Sequence, residues 1–363
     1  MKNKNLLDAI RGCLIGGAAG DALGYPVEFM TLDEIYKHYP VTGITDYKLD
    51  SKLGKGIISD DTQMTLFTAN GILNGVTQAK LHGSSAPIEN YIYRSYLDWL
   101  ATQTDKEPSE GHRPCWLTEI KELCVTRAPG NTCISALQSG MMGTIKEPIN
   151  NSKGCGGIMR VAPVALFNGP LYIDVAKTAA ITHGHPLGYI SAEAMVFIIC
   201  RIIYEGCPNN DALYYFVNDC NEILHLHFFE NVYLNELLDI MELAVKLSRN
   251  NQDDTANIAR IGEGWVTEEA LGIALYCALK YQDDFSAAII AAVNHNGDSD
   301  STGAITGNIV GALIGYDNIP AKWKQNLQLH DLILEIADDL YNGGQISKNE
   351  MLENEKWIKK YGN

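Results

Sequence analysis

Positive charge is what this chain has least of. Its 363 residues hold 28 Lys and Arg against 44 Asp and Glu, a formal charge of −16. No Lys/Arg-rich run stands out, so neither nucleic acid nor an anionic membrane is expected as a partner. An acidic protein that handles an anionic ligand needs local cations, from metal or side chain, to offset its own field. Paired cysteine motifs are missing too. Nine cysteines are scattered singly, with no C-x-x-C, and the number is odd. Reduced thiols fit that pattern better than a disulfide framework. Asp8, Arg11 and Asp21 interrupt the N-terminal apolar stretch, which makes it a poor signal peptide. No uncharged run reaches about 20 residues, the length of a membrane span. A soluble, cytoplasmic, monomeric protein is expected.

Strand patterns are sparse, and neither a fixed-period repeat nor a linker-like shift in composition is visible. Helical patterns recur along the whole chain. The expectation is an all-α fold, one domain over 1–363, an orthogonal multi-helix bundle with loops gathered around a cleft.

Against that background two polar knots stand out. Asn294-His295-Asn296-Gly297-Asp298-Ser299-Asp300-Ser301-Thr302-Gly303 leads straight into the apolar run Ala304, Ile305, Ile309, Val310, Ala312, Leu313. Polar oxygens before an apolar run read as the N-terminus of a buried helix. Free N–H groups there need acceptors, which Ser, Thr or Asp supply. Capping needs one such oxygen, not four. The surplus at Asp298, Asp300, Ser301 and Thr302 suits a hard divalent cation such as Mg²⁺ or Mn²⁺. Ser59-Asp60-Asp61-Thr62 is the second knot, ahead of Met64, Leu66, Phe67, Ala69, Ile72 and Leu73. Two oxygen-rich helix starts, each with two Asp, together predict a two-metal site.

Glycine recurs every four residues at 12, 16, 20 and 24 and again at 303, 307, 311 and 315. Each costs roughly 1 kcal/mol of helix propensity relative to Ala. A run of them on one face predicts close backbone approach, so the helix over residues 6–24 and the helix after Thr302 are expected to be central and packed on each other. Between and beyond the knots lie lesser signals. Glu28 follows the first glycine-rich helix on an apolar turn. Arg127-Ala128-Pro129-Gly130-Asn131-Thr132 is a turn into a helix. Residues 102–114 read as an exposed loop. Lys153-Gly154-Cys155-Gly156-Gly157-Ile158-Met159-Arg160 could present backbone N–H groups to a phosphate, though it lacks the Gly-Lys-Ser/Thr ending of a P-loop. His183 and His185 suit a hydrogen-bonding role better than a place among hard oxygen ligands. Gly262-Glu263-Gly264-Trp265 offers a flat apolar face in a glycine-flanked loop. Two helices are expected to finish the chain.

These segments, in this order and spacing, resemble the ADP-ribosylglycohydrolase family nearly end to end. The resemblance rests on Gly20-Asp21-Ala22-Leu23-Gly24 with Glu28, on Ser59-Asp60-Asp61-Thr62, and on Arg127-Ala128-Pro129-Gly130-Asn131-Thr132. It continues through Gly154-Cys155-Gly156-Gly157 with Met159-Arg160, Thr182-His183-Gly184-His185-Pro186, Gly262-Glu263-Gly264-Trp265 and Gly297-Asp298-Ser299-Asp300-Ser301-Thr302. It implies an all-α hydrolase that removes ADP-ribose from modified side chains, with two Mg²⁺ (or Mn²⁺) at the base of a cleft. By position it makes Ser59, Asp60, Asp61, Asp298, Asp300 and Ser301 the metal ligands. Glu28, Asp60, Asp61 and Asp300 become the catalytic carboxylates. Asn131, Thr132, Gly156, Gly157, His183, Gly264 and Trp265 become the contacts for diphosphate and adenosine. An ADP-ribosylated protein is the implied partner, and arginine the implied linkage. O-linked ADP-ribose on serine or in small esters, and a non-catalytic ADP-ribose binder, are the alternatives. One departure is visible. The activating glycohydrolases carry an acid just before Gly-Asn-Thr, where this chain has Ala128-Pro129, which moves weight to the metal-site carboxylates.

Overall fold

The structure is a computed structural model that describes residues 5–83, 86–104, 113–169, 173–207, 209 and 211–362. Most of the loop expected over 102–114 lies outside these residues. Among the described residues there are eighteen α-helices and no strand, only three isolated bridges. The all-α expectation holds.

The fold is organised by the two glycine-rich helices, Leu6–Gly24 and Ser299–Ile314. A Cβ added to Gly12 would lie 2.3 Å from the Gly311 carbonyl oxygen. One on Gly16 would lie 2.2 Å from that of Gly307, and one on Gly20 1.9 Å from that of Gly303. The partner number falls as the residue number rises, so the helices run antiparallel. No larger residue fits along this line without moving backbone, which is why helix propensity is given up at each position. Both helices are buried over most of their length.

This register brings the site together. It sets the C-terminal end of the first helix, with Asp21 and the following turn to Glu28, beside the N-terminal end of the Ser299–Ile314 helix. Asp21 in turn reaches the start of the Asp60–His82 helix, where its carboxylate accepts the Ser59 N–H at 2.9 Å and the Thr62 N–H at 3.1 Å. Three segments remote in sequence therefore meet at one end of one crossing.

Elsewhere the pattern of the sequence is closely followed. Helices cover Ile88–Gln103, Asn131–Gln138, Thr267–Lys280 and Phe285–Val293. The segment Pro186–Glu205 is by length and composition apolar enough to cross a membrane, but 72% of that window is buried inside the fold. Its last turn is a π-helix. The C-terminal region differs from expectation. Four helices follow Asn318, not two, because three of them (Ala321–Gln325, Lys348–Glu353, Glu355–Tyr361) are too short to show a 3.6-residue period.

Candidate active site

A cleft of about 290 Å³ opens where the three segments meet. Glu28, Asp60, Asp61, Asp298 and Asp300 all line it, and none is more than 7% exposed. One carboxylate oxygen each from Glu28, Asp298 and Asp300 lies within 4.8 Å of the other two. Ser301 also lines the cleft. Ser59 does not. It is fully buried, and its hydroxyl accepts the Asp61 N–H at 3.1 Å as the helix cap.

The two helix starts are capped differently. At the first, Asp21 and Ser59 take the free N–H groups, so Asp60 and Asp61 are left to face the cleft. Asp60 accepts only the Gly130 N–H, at 3.3 Å, and Asp61 Oδ2 has no partner. At the second, Asp298 caps its own helix through the Ser301 N–H at 3.4 Å. Its other oxygen accepts the Cys155 thiol at 2.7 Å. The Thr302 hydroxyl donates to backbone carbonyls (2.7 Å to Ala292, 2.8 Å to Asp298) and meets His295 Nε2 at 2.9 Å. Thr302, counted among the surplus oxygens in the sequence, is thus committed to structure.

The electrostatics follow from crowding. Burial, then the charges of Asp298 and Asp60, push Glu28 up to about 9. Burial raises Asp60, Asp61 and Asp300 well above the usual carboxylate range, and their mutual repulsion adds to it. Asp21, whose burial is partly offset by its hydrogen bonds from Thr62 and Ser59, is raised to about 6. Carboxylates in such a group cannot all ionise without a cation between them. Glu28 Oε2 and Asp61 Oδ2 are buried oxygens without a hydrogen bond. Hard oxygen donors, orphaned and facing one another, fit divalent cations of the Mg²⁺ or Mn²⁺ kind.

The walls are neutral. No described residue lining the cleft is Lys or Arg. Asn131 and Thr132 start the short helix on one side, and Thr132 meets Ser152 at 3.1 Å. Ala128 in the same loop has φ 51°, a left-handed backbone. Gly154, Cys155 and Gly156 line the cleft with His183. The Cys155 N–H donates to the Trp265 carbonyl at 3.3 Å, which ties the two glycine loops together. Gly157 and Gly264 do not line the cleft. Gly157 packs near the Gly188 carbonyl, and Gly264, at φ 82°, packs against Thr302. At the lip, Trp265 (39% exposed) stacks on Phe29 (73% exposed), with ring centroids 6.0 Å apart and planes 18° apart.

Sequence reasoning quoted Asp21 and Arg160 inside motifs but gave neither a role. The signal for both was a charged residue set among glycines and apolar neighbours.

The class defined by fold and site is an all-α protein whose helix starts converge on an acidic cleft with neutral, glycine-rich walls. The ADP-ribosylglycohydrolase family model matches residues 2–350, and the chain belongs to that hydrolytic family. It is similar to the ADP-ribosyl-(dinitrogen reductase) glycohydrolase of Rhodospirillum rubrum, 25% identical over 91% of this chain and 93% of the relative. The ADP-ribosylarginine hydrolase Tri1 of Serratia proteamaculans (strain 568) is 26% identical over 92% of this chain and 79% of that protein. The ADP-ribosylhydrolase ARH3 of Homo sapiens is 23% identical over 92% and 93%. Among solved structures, an ADP-ribosylglycohydrolase-related protein complex matches 94% of this chain and 100% of its own, with a TM-score of 0.64 and 21% identity; that likeness concerns the fold alone.

Proposed function

We propose that this chain hydrolyses the N-glycosidic bond of ADP-ribosylated arginine on proteins and releases ADP-ribose, using two Mg²⁺ or Mn²⁺ ions. The observation that carries the reading is the convergence of five buried carboxylates from three distant segments, two of them with an unpaired oxygen. Asp60, Asp61, Asp298, Asp300 and Ser301 would hold the ions, with Ser59 at the same turn and Glu28 beside them. When bound, such ions supply Lewis acidity at the ribose diol and lower the pKa of a nearby water.

The chain's own groups do the rest. Glu28 or an aspartate of the site takes the proton of the attacking water. Asn131, Thr132, His183 and the Gly156 N–H donate to the diphosphate. Trp265 gives the adenosine a flat face. The carboxylates also favour a cationic leaving group, which suits a guanidinium. We further read the chain as one domain over 1–363, acting as a cytoplasmic monomer without nucleic-acid or membrane partners.

Hydrolysis of O-linked ADP-ribose, on serine or in small esters, is the second reading. It stands because identities of 26% to the arginine hydrolase and 23% to ARH3 do not separate the two relatives. The test gives purified protein both conjugates, with EDTA, then with Mg²⁺ or Mn²⁺ restored. ADP-ribose should leave the arginine conjugate only when metal is present. Faster release from the serine conjugate would overturn the linkage, and full turnover in EDTA would overturn the metal role.

A further inference from the structure

Arg160 is fully buried next to the cleft, and no carboxylate pairs with it among the described residues. Its guanidinium lies 4.4 Å over the Tyr96 ring. Nη1 points at Cys133 Sγ (3.4 Å) and Met64 Sδ (3.8 Å), and Nε has no partner. Its one strong acceptor is the Thr182 hydroxyl, 2.7 Å from Nη2. A buried ion without a counter-charge is costly, and an apolar side chain would fill the same space more cheaply. A task beyond packing accounts for it.

The task is legible in the next bond. Thr182 Oγ1 accepts from Arg160, which leaves its own hydrogen available for His183 Nδ1, 2.8 Å away. With Nδ1 accepting, the ring hydrogen sits on Nε2. That edge faces the glycine turn: a Cβ added to Gly154 or Gly156 would lie 3.5 or 3.3 Å from Nε2. Burial and the Arg160 charge depress the His183 base to about 3, so the ring is neutral. No described residue that lines the cleft is Lys or Arg, so the donors that its walls offer an anionic diphosphate are neutral.

We propose that Arg160 is a positioning residue: through the Thr182 hydroxyl it holds His183 as the Nε2–H tautomer and aims that donor past the glycine turn at a phosphate oxygen of the ligand. This deepens the ADP-ribose reading of the cleft and rests on it for the ligand's identity.

The test is histidine ¹⁵N NMR on the intact protein, with the His183 resonances assigned by their loss in His183→Asn. Wild type should show a protonated Nε2 and an unprotonated Nδ1. Thr182→Val keeps the side-chain shape and the Arg160 charge but removes the hydroxyl. It should give a mixture of tautomers and about tenfold weaker ADP-ribose binding by calorimetry, the scale of one hydrogen bond. Thr182→Ser should restore both. A protonated Nδ1 in the wild type overturns the proposal, and that measurement needs no variant to fold. An unmixed tautomer in Thr182→Val, or binding as tight as wild type, overturns it as well. A wild-type protein that binds no ADP-ribose would overturn the functional reading instead, and the tautomer would still decide the role of Arg160.

Discussion

The two helix starts that face the cleft share a composition and differ in how they are supported. Ser59–Thr62 is capped from another helix, by Asp21, and both of its aspartates stay free for the cleft. At Asp298–Thr302 the capping comes from within: Asp298 takes the Ser301 N–H, and Thr302 turns inward. Oxygens counted along a sequence are therefore not the oxygens available to a ligand. Those used for capping must be subtracted, and the subtraction depends on whether a remote residue takes over the work.

Four experiments would break or sharpen this contrast. The largest effect is expected at the carboxylates that line the cleft. Asp60→Ala and Asp300→Ala should each lower ADP-ribose release by about a thousandfold or more, roughly 4 kcal/mol of barrier. Their thermal unfolding in EDTA should match or exceed that of the wild type, because a repelling charge has been removed. Near-normal turnover by either variant would rule out the metal-ligand assignment. Next comes the crossing that holds the two starts together. A Cβ on Gly307 would lie 2.0 Å from the Gly16 carbonyl oxygen. Gly307→Ala should cost about 3 kcal/mol in urea unfolding through overpacking, despite its gain in helix propensity. An unchanged midpoint would show that the helices can slide apart freely.

Asp21→Ala addresses the asymmetry itself. It leaves the Ser59 and Thr62 donors unpaired and should cost about 2 kcal/mol of stability, the usual scale of a lost cap, with loss of turnover. Among the described residues no side chain outside its own segment caps the second start. A stability like wild type would mean that Ser59 caps the first helix unaided. The smallest effect is expected from pH. Glu28 and Asp21 are raised above their unfolded values. Between about pH 4.5 and 9 the folded state then binds more protons than the unfolded state, so stability in EDTA should fall as pH rises through that window. Mg²⁺ or Mn²⁺ should flatten the slope. A metal-independent profile would mean that the carboxylates share no cation.

Much of this was legible in the sequence because it is local or periodic. The glycine spacing announced the paired helices. Asp60, Asp61, Asp298, Asp300 and Ser301 could be singled out because polar atoms crowd a helix start, and Glu28 because the family resemblance pointed to it. Asp21 and Arg160 escaped a role because their partners are distant in sequence: Ser59 and Thr62 for the first, Thr182 for the second. Ser59 and Thr302 show the converse, side chains whose oxygens also serve the fold through bonds that the sequence does not display.

The antiparallel clasp also has a consequence for the order in which the molecule comes into being. Gly16 and Gly307 touch across about 290 residues of intervening chain. A ribosome therefore releases the first helix long before its mate exists, and closing so long a loop is entropically slow. Until that mate emerges, the early strip of glycines and small apolar side chains has nothing to lie against, and a nascent chain halted before residue 299 would carry four of the five cleft carboxylates and no cleft.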